Sequence, residues 1–152
     1  MRKSALTRLV EAVVWFFLVA AALVELSLPF MIDVYLNWAS DFYVAVPYYR
    51  AFILVFLMLS TACFLWILAE LALIFRTIGK DPFVARNVGA LKRMGWVALA
   101  MAALFFLKCI PFYTPMTVVC GLAMLICGLF SLVLGEVFAQ AVHYKQENDL
   151  TI

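Results

Sequence analysis

Residues 116–142, MTVVCGLAMLICGLFSLVLGEVFAQAV, decide the architecture. The run is long enough to cross a bilayer, which needs about 20 mostly apolar residues. It contains one charged side chain, Glu136. Its glycines, Gly121, Gly128 and Gly135, keep an unbroken seven-residue spacing. That period holds them on nearly one face of a helix, as in a left-handed packing seam. Helices in lipid cannot use the hydrophobic effect to find each other, so small residues mark where backbones approach. The stretch therefore reads as a transmembrane helix with one close neighbour.

Three more runs of this kind precede it, roughly 9–30, 48–75 and 94–113. The chain has 152 residues, of which 68% are hydrophobic and 13% charged. Its mean hydropathy is +1.11. A soluble domain of this size cannot bury so much apolar surface, so lipid must be the solvent. The expected fold class is all-α: an integral membrane antiparallel four-helix bundle forming a single domain over residues 1–152. Gly95, Ala98 and Ala102 in span three, and Ala20 to Ala22 in span one, are further expected contacts. Span one is expected to end at Pro29. Glu11 near its start, and its length to Phe30, favour a retained span over a cleaved signal peptide.

Charge sets the expected orientation. Nine of the eleven Lys and Arg fall at the N-terminus, in the loop between spans two and three, and in the tail. Only Arg50 and Lys108 fall on the other side. The positive-inside rule then puts both termini and the middle loop (76–93) in the cytoplasm of a bacterial inner membrane, with residues 143–152 as a cytoplasmic tail. The aromatic connection at 31–50 is expected to anchor at the outer headgroups or to act as a lid over an outward-facing cavity.

Intramembrane charges are costly and are candidate functional residues. Counting ~1.5 Å per residue places Glu11, Glu70 and Glu136 at similar depth, roughly 5–10 Å inside the cytoplasmic face. Gln140 and His143 follow Glu136 at helical spacing and extend a polar stripe. Two readings remain open. The carboxylates are reached by water and loop cations and are structural, or they line one cavity that binds a cation or proton. In the outer half, Glu25 and Lys108 are expected to form an ion pair. Cys63, Cys109, Cys120 and Cys127 carry no C-x-x-C spacing and read as inert. No nucleophile–base pair, metal-ligand set or phosphate loop is present, so neither an enzyme nor a cofactor is expected.

The loop GKDPFVARNVGALKRMG, residues 79–95, has Asp81 as a candidate cap and Pro82 as a first helical residue. Phe83, Val84, Val88, Ala90, Leu91 and Met94 share one face, with Arg86, Lys92 and Arg93 opposite and Asn87 the exception. This predicts a short amphipathic helix on the membrane surface between spans two and three. Its basic face would meet anionic headgroups or an acidic partner. The tail, QENDLTI, would dock into a partner or back onto the loop, with Glu147 and Asp149 near Arg86 or Arg93.

Pro82-Phe83, Leu91-Lys92-Arg93-Met94-Gly95 and Glu147-Asn148-Asp149-Leu150-Thr151-Ile152 resemble two signatures of a family of small bacterial four-helix membrane proteins of unknown function. Its members are often encoded beside a helix-turn-helix regulator of the Cro/repressor type. The resemblance implies a membrane partner of such a regulator, with no direct nucleic-acid contact by the chain itself. The leading expectation is a non-enzymatic membrane sensor or regulator. The alternative is a small proton- or cation-coupled transporter or channel built on the glutamates. Besides lipid, a second copy of the chain is an open partner.

Overall fold

A computed structural model describes residues 5–39, 43, 45–78 and 84–150. They form four helices: α1 (Ala5–Ala39), α2 (Tyr49–Ile78), α3 (Ala85–Cys109) and α4 (Pro115–Leu150). Each is long and apolar enough to cross a membrane. Successive helices run antiparallel and pack as neighbours. Among the described residues, backbones approach within 8 Å only between α1 and α2, α2 and α3, and α3 and α4. The bundle is therefore open, with α1 and α4 as its outer members. The many exposed Leu, Val and Phe side chains are what a lipid solvent requires.

The tightest contact lies between α3 and α4, where the glycine spacing anticipated it. Gly95, Gly121, Gly128 and Gly135 are all buried. A Cβ on Gly95 would stand 2.7 Å from Leu132 Cδ2 and 3.0 Å from the Gly128 carbonyl oxygen. A Cβ on Gly128 would stand 2.9 Å from Leu99 Cδ2 and 3.0 Å from the Gly95 carbonyl oxygen. Backbone meets backbone here, and only glycine permits it. Ala98 and Ala102, on the same helix, are 5% and 1% exposed.

Three expectations need revision. α1 does not stop at Pro29 but runs through it for ten more residues. Proline is tolerated inside membrane helices because neighbouring groups take up the freed carbonyl. The amphipathic segment is helical, but it is the first turns of α3 rather than a separate surface element. α3 starts at Ala85 behind Val84, whose side chain makes no cap. Asp81, Pro82 and Phe83 lie outside the described residues. The tail, finally, is no loose strand: α4 continues to Leu150 without a break.

At the end of the bundle opposite the termini, aromatic rings pack into a plug. Phe112, in the α3–α4 turn, lies 4.8 Å from Tyr49, 5.0 Å from Phe52 and 5.1 Å from Tyr43 between ring centroids. Tyr49, with Ile32 of α1 beside it in the same cluster, is fully buried. Trp38 and Tyr48 point outward and suit a headgroup anchor.

Candidate functional site

The polar side chains inside the bundle gather along α3. Lys92 and Arg93 are adjacent on it, so their side chains leave about 100° apart and reach different neighbours. Arg93 grips Glu70 of α2 with two parallel bonds, Nε to Oε1 at 2.5 Å and Nη2 to Oε2 at 2.9 Å. This fork-on-fork geometry suits Arg and not Lys. The Glu70 side chain is 9% exposed. Lys92 instead turns to α4, with Nζ 2.7 Å from Glu136 Oε1, and its stem lies over Gly135. About one turn along α4 from Gly128, the polar links continue. Ser131 Oγ donates to the Leu91 carbonyl at 2.8 Å.

Asn87 looked misplaced on the apolar face of its segment. It is 1% exposed, and the Thr77 hydroxyl of α2 lies 2.8 Å from its Oδ1. The face it shares with Ala90 and Gly95 is turned inward, so an amide with a partner belongs there.

The three glutamates therefore do not converge. Glu70 and Glu136 each hold a different cation of α3. Glu11 lies on α1, which has no backbone approach to α3 or α4. Gln140 and His143 are exposed on α4. His143 Nδ1 is 3.5 Å from the Glu147 carboxylate, one turn on along the same helix. Glu147 thus extends outward on α4, and the Arg93 expected to receive the tail faces Glu70. Arg86 is exposed at the start of α3. Asp149 lies in α4, but its side chain is outside what the structure describes.

The expected Glu25–Lys108 pair is not formed. Lys108 is 4% exposed, and its Nζ donates to Thr114 Oγ1 at 2.6 Å and Thr117 Oγ1 at 3.2 Å. Thr114, in the turn, and Thr117, in the first turn of α4, hold the ammonium locally. Glu25 is on α1, which packs on α2 alone. Its Oε2 is buried with no hydrogen-bond partner, as is the hydroxyl of Ser60 on α2.

A further ion pair went unnoticed in the sequence. Arg50 Nε donates to Asp33 Oδ1 at 2.6 Å and Nη2 to Oδ2 at 3.0 Å, joining α1 to α2 near the aromatic plug. Ending span one at Pro29 had left Asp33 in a loop. At the other end of α1, the Arg76 guanidinium sits 5.3 Å from the Trp15 ring centroid. All four cysteines are free thiols.

No curated protein and no solved structure matches the chain. A family model described as "Protein of unknown function (DUF2975)" does match, over residues 34–152, from the last turns of α1 through the whole of α4. A multi-pass membrane protein by its helices, the chain belongs by that match to the DUF2975 family, whose function is unknown.

Proposed function

We propose that the protein is a non-enzymatic membrane sensor or regulator, with both termini in the cytoplasm of a bacterial inner membrane. Its output surface is the projecting end of α4 together with Arg86 at the start of α3. The observation that carries this reading is the length of α4. Its 36 residues span about 54 Å at 1.5 Å per residue, against a hydrocarbon core of about 30 Å. Beyond Val142 the residues up to Asn148 are exposed. An unbroken helix fixed by glycine contacts to α3 is a mechanical link from the membrane to a soluble partner.

The partner of choice is a helix-turn-helix regulator, held through protein contacts and not through DNA. That choice rests on the family resemblance of the loop and tail segments. Transport through a glutamate cluster is the weaker reading, because Glu70 and Glu136 are each occupied by a cation from α3. The test is co-purification from native membranes of the full chain and of a chain lacking residues 146–152. A DNA-binding regulator is expected with the first and not the second. Equal recovery with both would sink the proposed output surface. Solute flux in proteoliposomes without any partner would replace it with transport.

A further inference from the structure

The seam between α1 and α2 has a regular register. Ile32 and Leu36 of α1 pack in one cluster with Tyr49 and Ile53 of α2. Val14 and Ala21 pack with Leu68 and Ala72. Along α1, residues 14, 18, 21, 25, 28 and 32 follow the alternating three- and four-residue steps of a packing seam. Every one is apolar except Glu25. On α2 the facing series 53, 57, 60, 64 is apolar except for Ser60. Setting Leu36 level with Tyr49 and Ile32 with Ile53, as their shared cluster allows, carries the register inward until Glu25 stands level with Ser60.

Ser60 is 8% exposed, and its hydroxyl has no partner. Glu25 Oε2 is likewise buried without one. With α1 extending to Ala39, Glu25 lies near the middle of its helix and not at its outer end. Pro29 adds a third oxygen group to this stretch. It has no N–H, so the Glu25 carbonyl four residues back lacks its helical donor. The neighbouring Val24 carbonyl is taken by the Ser27 hydroxyl at 2.9 Å. Just inward, a groove of about 300 Å³ lined by Ala21, Val24, Thr61 and Phe64 gives access between the two helices. A buried polar group without a partner costs stability, and two on facing helices at one level demand an explanation.

We infer that Glu25 and Ser60 form a site for one small monovalent cation, Na⁺, between α1 and α2. The donors are oxygens only, which suits a hard cation. A single carboxylate balances one positive charge, and a divalent ion would leave net charge in hydrocarbon. Among the described residues no other charged group lies at this level of the seam. Between Arg50 and Glu70 the one titratable side chain on α2 is Cys63, and on α1 Glu25 stands alone between Glu11 and Asp33. Asp33 is held by Arg50. Glu25 lies outside the region matched by the family model, and Ser60 lies inside it. The site is independent of the proposed output surface.

The full chain in lipid nanodiscs tests this with dicyclohexylcarbodiimide, read by peptide mass spectrometry. The reagent takes the carboxyl proton on nitrogen and the carboxyl oxygen on its central carbon. The adduct then rearranges to an N-acylurea with no leaving group. Labelling of Glu25 falls as Na⁺ replaces N-methyl-D-glucamine at constant ionic strength. At a concentration about ten times the dissociation constant the fall is on the order of tenfold. Ser60→Ala shifts the protection to higher Na⁺. The inference is overturned if labelling of Glu25 is indifferent to Na⁺, or if Glu25 is not labelled at all. Labelling the wild type needs no variant, so the test stands even where Ser60→Ala fails to fold.

Discussion

The α3–α4 seam and the α1–α2 seam each carry polar side chains within an apolar interface and end in opposite states. In the first, Gly95 and Gly128 bring backbone against backbone, and the described polar groups beside them are joined: Lys92 to Glu136, Ser131 to the Leu91 carbonyl. In the second, neither helix carries a glycine, and grooves open beside Trp15 and beside Ala21. At its centre Glu25 and Ser60 lack partners. Tight seams in lipid are made by van der Waals contact and satisfied hydrogen bonds. A seam that gives up both at one level is positioned for something other than stability.

The largest effect should come from breaking the tight seam. Gly95→Leu forces a side chain into atoms 2.7–3.0 Å away, one of them a backbone oxygen that cannot move aside. The expected loss is about 3 kcal/mol, the upper part of the overpacking range. It should appear as a lower Tm or failed assembly. The same substitution at exposed Gly-free positions of α4, such as Val133→Leu, should leave Tm unchanged. Equal effects would mean that α3 and α4 are not in contact at Gly95.

Next comes the α2–α3 clamp. Arg93→Ala strands Glu70, whose side chain is 9% exposed, while the Arg93 side chain is 51% exposed. The cost should fall between that of a surface pair and that of a buried one, about 2 kcal/mol. Adding Glu70→Gln should recover about half of it, because the stranded charge is gone. A double variant no more stable than Arg93→Ala would show that Glu70 is not buried beside it.

How far these seams were legible depends on what each residue encodes. Gly121, Gly128 and Gly135 could be read because close approach excludes every other residue, and the helical period then names the face. Depth along a helix could also be counted: Glu70 and Glu136 were put at similar depth, and they meet the adjacent Arg93 and Lys92 of α3. Azimuth could not. Whether Glu70 meets Glu136 or Arg93 depends on which helices pack, and the sequence does not state that α1 and α4 stay apart. Pro29 misled most. Taken as a helix end, it shifted Glu25 outward to the level of Lys108 and hid the Asp33–Arg50 pair. In lipid the penalty for ending a helix exceeds that for carrying a proline through it.

The loose seam makes the opposite prediction from the clamp. Glu25→Leu removes a carboxyl whose Oε2 is buried without a partner and supplies an apolar side chain to an apolar seam. At pH 8 without Na⁺ it should raise stability by about 1 kcal/mol, the low end of the cost of one unsatisfied buried group. Losing a carboxylate thus destabilises nothing at Glu25, while losing its partner destabilises Glu70. A fall in Tm for Glu25→Leu would show that the α1–α2 seam depends on this carboxyl for its packing.

The smallest effect belongs to the projecting end of α4. Residues 143–148 are exposed and lie past the glycine contacts that hold α4 to α3. Deleting residues 146–152 shortens a helix that draws its stability from packing further back, so Tm should change by less than about 0.5 kcal/mol equivalent. That near-silence is what gives the deletion its value. If a cytoplasmic partner is lost from a chain whose unfolding is unchanged, the loss traces to the surface removed and not to a damaged bundle. If Tm falls as far as it does for Gly95→Leu, the end of α4 is part of the packed structure, and the contrast between a fixed seam and a free output surface fails at this point.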